Sequence, residues 1–259
     1  MAYWYQENNF GDQLTPDILR YYGLNPFYTP NFNACEAVSV GSVLEHVPES
    51  YKGIILGSGF LLPQTEKVFS EAKILAVRGK LTALKLSLPN SIALGDPGIL
   101  SDRVYERKVS SIPKRYLLGI VPHYKEMDNP DLRAFIKRYP KDVCLINVCR
   151  KPEKVICDIS ACRNIASSSL HGLVVSHSLG IPACPLHLSG KLSGGTFKFK
   201  DYYSVYGMVP VFHKLSGNDS LIKLCDLSES IDPERIAEVK NRLNLVFLNY
   251  ALGEASDYF

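Results

Sequence analysis

Short apolar runs rich in β-forming residues alternate with helix-like stretches along most of the chain. Candidate strands lie at 3–5, 52–56, 73–77, 92–94, 116–121, 143–147, 154–156, 164–166 and 181–184. Candidate helices lie between them at 14–22, 63–70, 79–86, 130–138 and 170–179. This alternation is typical of parallel βαβ units and predicts an α/β fold.

A polar stretch at 101–114 divides this alternation into two halves. We interpret it as a linker between two Rossmann-like domains, an N-terminal one over 1–108 and a C-terminal one over 109–259. The apolar residues of 232–248 recur with a helical period, which predicts a terminal helix. Two halves of this kind are expected to face each other across a ligand-binding cleft.

The composition is that of a folded intracellular protein. Hydrophobic residues make up 46% of the 259 residues, which is enough for a core. The net charge of +3 is too small to attract polyanions in bulk, so no nucleic-acid partner is predicted. No apolar run approaches the roughly 20 residues that span a bilayer. The first residues also lack the pattern of a secretory signal, which predicts a cytoplasmic location.

Four cysteines cluster at Cys144, Cys149, Cys157 and Cys162. Structural zinc sites usually offer pairs of ligands two to four residues apart on a tight turn. Here Cys144 and Cys157 instead fall in apolar runs that predict strands. We therefore interpret them as reduced core residues and predict no metal site.

Asn9, Gly11 and Asp12 come directly after the first predicted strand and before the first predicted helix. In open α/β sheets, loops at the carboxyl ends of strands face the ligand crevice. Gly11 allows a ligand to approach the backbone, and Asp12 offers a carboxylate base. Ordinary turn chemistry is the alternative, because loops of this kind often contain these residues.

Two further motifs follow strands of the N-terminal half. Gly57-Ser58-Gly59 allows a ligand to approach the backbone or makes a tight turn; it lacks the full dinucleotide-binding spacing because position 62 is Leu. Arg78 follows the strand at 73–77, where its planar guanidinium suits a carboxylate or phosphate. The alternative for Arg78 is an ion pair with another side chain.

The C-terminal half places His123 and Lys125 in the loop after its first strand. Ser169 and His171 lie at the start of a predicted helix, where a histidine is suited to proton transfer near neutral pH. A lone histidine in an apolar helix is otherwise a core residue. Further along, aromatic and basic residues interleave at 197–203 and include Lys200. Because the net charge is small, this segment favours a sugar or phosphate ligand over nucleic acid.

Taken in order, these motifs resemble the polysaccharide pyruvyl transferase family. The matching pieces are Asn9-Phe10-Gly11-Asp12, Gly57-Ser58-Gly59, Arg78-Gly79 with Thr82-Ala83, Leu94-Gly95-Asp96-Pro97, Gly119 to His123, Ser169-Leu170-His171-Gly172 and Gly180-Ile181-Pro182. The segment at 197–203 resembles the branch that works on exopolysaccharide or capsule repeat units. The resemblance implies a fold similar to the two-domain GT-B glycosyltransferases, although this chain is short for such a fold.

The resemblance also implies a reaction. The enolpyruvyl part of phosphoenolpyruvate would pass to two hydroxyls of a sugar in a surface-polysaccharide repeat unit, leaving a cyclic pyruvate ketal and releasing phosphate. Phosphoenolpyruvate is then a co-substrate, and no cofactor or metal is expected. The acceptor implied is a lipid-linked oligosaccharide at the inner face of the plasma membrane.

Site roles follow from this scheme as hypotheses. The resemblance places His171 at the phosphoenolpyruvate site, where it would protonate the C3 methylene, and Asp12 would accept a proton from the acceptor hydroxyl. The residues expected to bind the donor are Arg78, His123, Lys125, Ser169, Leu170 and Lys200. The residues expected to bind the acceptor are Asn9, Gly11, Gly57 and Ser58.

Two rival functions remain open on the sequence. A nucleotide-sugar glycosyltransferase would share the fold and would bind a nucleoside diphosphate in an equally suitable cleft. A non-catalytic carbohydrate-binding protein would keep the fold without the chemistry. Against the second stands the joint presence of Asp12, Arg78 and His171, each with a separate chemical role.

Overall fold

A computed structural model describes residues 1–6, 9–190 and 194–254 of the chain. Within them, two parallel sheets of five strands each confirm the predicted α/β fold. The N-terminal sheet contains, in spatial order, β1 (Ala2–Tyr3), β2 (Ala37–Val38), β3 (Ile54–Leu56), β4 (Lys73–Val77) and β5 (Ala93–Leu94). The helices of this half are α1 (Leu14–Tyr21) and α2 (Lys80–Lys85), followed by the one-turn helices α3 (Ser101–Val104) and α4 (Glu106–Val109).

The C-terminal sheet has the spatial order β10-β9-β8-β6-β7. Its strands are β6 (Tyr116–Val121), β7 (Val143–Leu145), β8 (Cys162–Ser167), β9 (Ala183–His187) and β10 (His213–Lys214). Its helices are α5 (Pro130–Arg138), α6 (Pro152–Ser160), α7 (Leu170–Ser178), α8 (Phe197–Ser204), α9 (Leu221–Asp226) and α10 (Pro233–Leu252).

Two predicted elements are wrong. The strand predicted at 154–156 lies inside α6, where Pro152 occupies the first turn and Val155, Ile156 and Ile159 are buried on one helical face. The helix predicted at 63–70 does not form.

The segment at 63–70 is instead held by hydrogen bonds to the loop around Glu45. Glu45 accepts hydrogen bonds from the backbone N–H groups of Leu61 and Leu62 and from the Thr65 hydroxyl. Lys67 donates to the backbone carbonyls of residues 44, 45 and 47. These long-range partners take the place of the hydrogen bonds of a helix, which explains why local pattern failed here.

The polar stretch at 101–114 is partly helical, since it contains α3 and α4, which pack against α7 and α6. The predicted terminal helix forms as α10 and returns to the N-terminal half. There Val239 and Leu243 pack against Gly95, and Phe247 stacks on Tyr22 with ring centroids 5.2 Å apart. One apolar core therefore runs through both halves.

A buried ion pair joins the two halves. Arg78, at the end of β4, is completely buried, and its Nε donates to Asp201 Oδ2 of α8 at 3.0 Å. The other guanidinium nitrogens donate to Ser42 Oγ and to the carbonyl of Phe60. Asp201 also accepts from the backbone N–H and the hydroxyl of Thr82 at 2.9 and 2.6 Å. Helix α8 is thereby fixed to the N-terminal sheet.

We expect Arg78→Met to lower the free energy of unfolding by about 3–5 kcal/mol, because it leaves the Asp201 carboxylate buried without its cation. Urea unfolding followed by circular dichroism measures the change. Arg133→Ala is the matched control, since Arg133 pairs with Asp128 on the surface and should cost at most about 1 kcal/mol. Equal costs for the two variants would show that the buried pair does not hold the halves together.

Candidate active site

A cleft of about 200 Å³ lies between the two halves, beyond the carboxyl ends of β1, β2, β6 and β8. This is the edge at which open α/β sheets bind ligands. Both halves contribute to its wall. The lining residues are Tyr5, Asn9, Asp12, Ser42, Val43, His46, Leu61, His123, Tyr124, Lys125, Ser169, Leu170, His171 and Lys198.

His171 lies in the first turn of α7 and is 5% exposed. Its ring packs directly on the backbone of Gly11: a Cβ at that position would lie 1.9 Å from Nδ1 and 2.6 Å from the His171 Cβ. Only glycine permits this approach. The two motifs that carried Gly11 and His171, 160 residues apart in the chain, therefore meet at one point of the cleft.

Asp12 lies beside His171 in the cleft wall. Its Oδ2 accepts a hydrogen bond of 2.9 Å from Asn9 Nδ2, so Asn9 orients the carboxylate. Burial raises the pKa of Asp12, while the charges of His171 and Lys198 and the Asn9 hydrogen bond oppose that shift. A carboxylate whose pKa is raised is better suited to accept a proton than an ordinary surface aspartate.

Lys198 enters the cleft from α8 and was not among the predicted site residues. Burial lowers the pKa of Lys198 to about 8; the Asp12 carboxylate opposes this shift and Arg78 adds to it. Lys200, from the same segment, was predicted to bind the donor, but it is exposed and does not line the cleft. Successive helical residues are rotated by about 100°, so two lysines two positions apart point in nearly opposite directions.

His123 and Lys125 both line the cleft, in the loop after β6. Burial, together with the charges of Lys198 and Lys125, lowers the pKa of His123 to about 4, so this ring is neutral at pH 7. Its Nδ1 accepts from the backbone N–H of Lys125 at 3.3 Å, which leaves Nε2 as the nitrogen that carries hydrogen. His123 therefore offers the cleft a hydrogen-bond donor, and Lys125 offers a positive charge.

Ser169 and Leu170 bring the N-terminus of α7 to the cleft wall. The first N–H groups of a helix have no acceptor inside it, and the helix dipole adds a partial positive charge there. The Ser169 side chain makes no capping hydrogen bond to these groups. The α7 N-terminus can therefore receive an anionic ligand.

Apart from Gly11, which packs against the His171 ring, four predicted site residues lie outside the cleft lining. Lys200 is on the surface, and Arg78 is enclosed behind Ser42 in the ion pair with Asp201. Ser58 is buried and donates to the carbonyl of Gly41 at 2.8 Å. Gly57 has a φ of +91° and packs against Pro97. A direct grip of Arg78 on a ligand would require its present hydrogen bonds to break.

The N-terminal half contributes an aromatic wall whose residues were not among the predicted site residues. Tyr5 stacks on His46 with ring centroids 5.2 Å apart and an interplanar angle of 12°. Val43 and Leu61 extend this surface. No local pattern marks these residues, because they come from three separate loops. A flat apolar surface of this kind suits the face of a sugar ring.

The cysteines are free thiols in varied surroundings. Cys144 lies on β7 as predicted, whereas Cys157 lies in α6 and not on a strand. In the part of the chain that the structure describes, no three His, Cys, Asp or Glu side chains converge as metal ligands do. Over the same residues, every helix is too short or too polar to cross a bilayer.

The fold and the cleft together define an α/β protein whose cleft places cationic groups beside a histidine and a carboxylate. The sequence profile of the polysaccharide pyruvyl transferase family matches residues 3–187, and the chain belongs to this family. The resemblance inferred from the motifs is thus confirmed.

Two curated proteins are similar to this chain over most of its length. It is 33% identical over 189 residues to the uncharacterized protein L143 of Acanthamoeba polyphaga mimivirus. The aligned region covers 70% of this chain and 62% of L143. It is 26% identical over 218 residues to the succinoglycan biosynthesis protein ExoV of Rhizobium meliloti (strain 1021). This second aligned region covers 80% of this chain and 64% of ExoV. The matched region thus spans a little under two thirds of each relative. The similarity to ExoV supports the exopolysaccharide branch of the family.

The contact between Gly11 and His171 generates a prediction about stability. Gly11→Ala should cost about 1–3 kcal/mol, because the added methyl overlaps the His171 ring and its Cβ and forces the packed wall to shift. Gly190→Ala is the control, since a Cβ there meets nothing within 4 Å. Denaturant unfolding of both variants measures the difference. Indistinguishable midpoints would contradict the close contact.

Proposed function

We propose that this protein is a pyruvyltransferase that moves the enolpyruvyl group of phosphoenolpyruvate onto two hydroxyls of a sugar in a bacterial surface-polysaccharide repeat unit. The observation that carries the proposal is the juxtaposition, in one cleft, of cationic groups, the α7 N-terminus, His171 and Asp12. Family membership supports a transferase acting on polysaccharide. In this proposal the halves act as in a GT-B-like fold, with the acceptor on the N-terminal side and the donor on the C-terminal side.

Phosphoenolpyruvate carries about three negative charges on a small frame, and its binding requires several donors in one place. Lys198 and Lys125 supply positive charge, and the neutral His123 supplies an N–H group. The α7 N-terminus at Ser169 and Leu170 supplies backbone donors. Arg78 does not contact the donor in this proposal. It holds α8 in position through Asp201, and α8 carries Lys198.

The reaction then proceeds with the side chains in the cleft. His171 gives a proton to C3 of the donor, using the electron pair of the C2–C3 double bond, while a sugar hydroxyl forms a bond to C2 and passes its proton to Asp12. The bond from C2 to the phosphate oxygen breaks, and the second hydroxyl closes the ketal. One of the two hydroxyl protons restores the proton that His171 gave to C3, and the other leaves with phosphate. No step in this scheme calls for a metal.

The acceptor lies against the N-terminal wall in this proposal. The stacked Tyr5 and His46 offer a flat surface to the apolar face of a hexose, while Asn9 and Ser42 offer polar groups to its hydroxyls. A lipid-linked oligosaccharide would bring this acceptor to the inner face of the plasma membrane, where a cytoplasmic enzyme would meet it.

Phosphate release from phosphoenolpyruvate, with and without a panel of galactosides, glucosides, N-acetylhexosaminides and lipid-linked oligosaccharides, tests the proposal. We expect His171→Ala to reduce the sugar-dependent turnover by at least about 100-fold, in line with the loss of a general acid. His187→Ala is the control, because His187 is exposed at the end of β9 and should retain full turnover.

Thermal-shift measurements separate the rival functions. Phosphoenolpyruvate should raise the melting temperature, and nucleoside diphosphates should not. Stabilisation by a nucleoside diphosphate alone would favour the glycosyltransferase. Stabilisation by sugars alone, without phosphate release, would favour a carbohydrate-binding protein.

The surroundings of Lys198 predict how donor binding depends on pH. Above its pKa of about 8 the lysine loses the charge that attracts the donor, so affinity should fall as the pH rises from 8 to 10. The second pKa of a phosphate group is about 6, so affinity should also fall below that pH. The optimum is expected between pH 6 and 8, measured by isothermal titration calorimetry with phosphoenolpyruvate.

Two variants assign this pH dependence to one lysine. Lys198→Arg should retain donor affinity up to pH 10, because arginine stays charged throughout that range. Lys200→Met, two residues away on the exposed face of α8, should keep the wild-type profile. A profile altered by the Lys200 variant and unchanged by the Lys198 variant would transfer the donor-binding role to Lys200.

A further inference from the structure

Asp96 lies on the N-terminal half, in the turn that follows β5, and is completely buried. One of its oxygens, Oδ1, accepts a hydrogen bond of 2.9 Å from the backbone N–H of Gly98 and caps a short 3₁₀ turn. The other oxygen, Oδ2, lies 3.5 Å from Nε2 of His171. Among the described residues, neither Oδ2 nor Nε2 has a hydrogen-bond partner, and both atoms are buried.

A buried carboxylate oxygen without a donor is costly, and so is a buried imidazole N–H without an acceptor. Here the two unpaired atoms face each other across the boundary between the halves. The hydroxyls of Tyr202 and Tyr206 also lie within electrostatic range of Asp96, but they are neutral. Of these neighbours, His171 alone can place a positive charge beside Asp96.

The separation of 3.5 Å is within ion-pair range and about 0.5 Å longer than a typical N–H···O hydrogen bond. Hydrogen bonds within catalytic sites are often long before substrate binds and shorten in the complex. Asp96 comes from one half and His171 from the other, so a slight closing movement of the halves would complete the bond.

We infer that Asp96 is a positioning residue for His171, an inference that rests on the acid role of His171 in the proposed function. Asp96 accepts from Nε2–H and so holds the neutral ring in the Nε2–H tautomer, with Nδ1 on the side of Gly11 and the cleft. When the ring becomes an imidazolium, the added proton is on Nδ1, and this is the proton that is transferred. When His171 protonates C3, the Nδ1–H bond breaks and its electron pair stays on the ring. Before this transfer, the Asp96 carboxylate stabilises the imidazolium.

Asp96→Asn tests this assignment with little change of shape. The Asn oxygen can still cap Gly98, and its amide then presents N–H to His171 Nε2, which must become an acceptor. The ring is thereby driven to the Nδ1–H tautomer, in the same way that an Asp-to-Asn change misorients the histidine of serine-protease triads. We expect kcat to fall at least 100-fold while KM for phosphoenolpyruvate changes less than about threefold. Asp128→Asn, on an exposed carboxylate, should leave both unchanged.

The double variant Asp96→Asn/His171→Ala separates positioning from a structural role. If Asp96 acts through His171, the double variant should be no slower than His171→Ala alone. Losses that multiply in the double variant would show that Asp96 supports the fold independently of His171, and would overturn the inference.

A measurement that needs no turnover keeps this inference apart from the proposed function. In ¹⁵N-histidine-labelled protein, at a pH at which the His171 ring is neutral, NMR should show the Nε2–H tautomer in the wild type and the Nδ1–H tautomer in Asp96→Asn. An Nδ1–H tautomer in the wild type would overturn the inference even if Asp96→Asn failed to fold. If the wild type showed the Nε2–H tautomer but released no phosphate with any acceptor, the pairing would stand and the pyruvyltransferase proposal would fall.

Discussion

The buried ion pair between Arg78 and Asp201 is the interaction on which the geometry of the cleft depends. It joins the end of β4 to α8 across the boundary between the halves, with both side chains fully enclosed. An arginine in that position is stable only with its partner, and Asp201 needs Arg78 and Thr82 for the same reason. Because α8 carries Lys198, the pair also determines where a positive charge enters the cleft.

The cleft shows how a chain of nearly balanced charge builds a strongly polar site. Its net charge of +3 attracts nothing in bulk, yet two lysines, a histidine N–H and a helix N-terminus converge at one point. Burial tunes these groups further, since it raises the pKa of Asp12 and lowers that of Lys198. Burial also makes the unpaired oxygen of Asp96 costly, because water would solvate it if the carboxylate were at the surface.

Local pattern predicted the elements whose hydrogen bonds are local or whose packing face is regular. The strands at 73–77 and 116–121 and the helix at 130–138 have the predicted bounds. Prediction failed at 63–70, where Glu45 and Lys67 supply the hydrogen bonds, and at 154–156, where a short apolar run suited strand and helix equally.

The sequence by itself determined the fold class, the family and the placement of Asp12, His123, Lys125 and His171 in one cleft. It does so because loops at the carboxyl ends of parallel strands meet at one edge, whatever their distance along the chain. Only the tertiary structure decided that Lys198 and not Lys200 lines the cleft, that Arg78 is enclosed, and that Asp96 faces His171. These contacts join residues more than 70 positions apart in the chain. A local sequence pattern therefore does not show which side of a helix is covered or which charges are buried together.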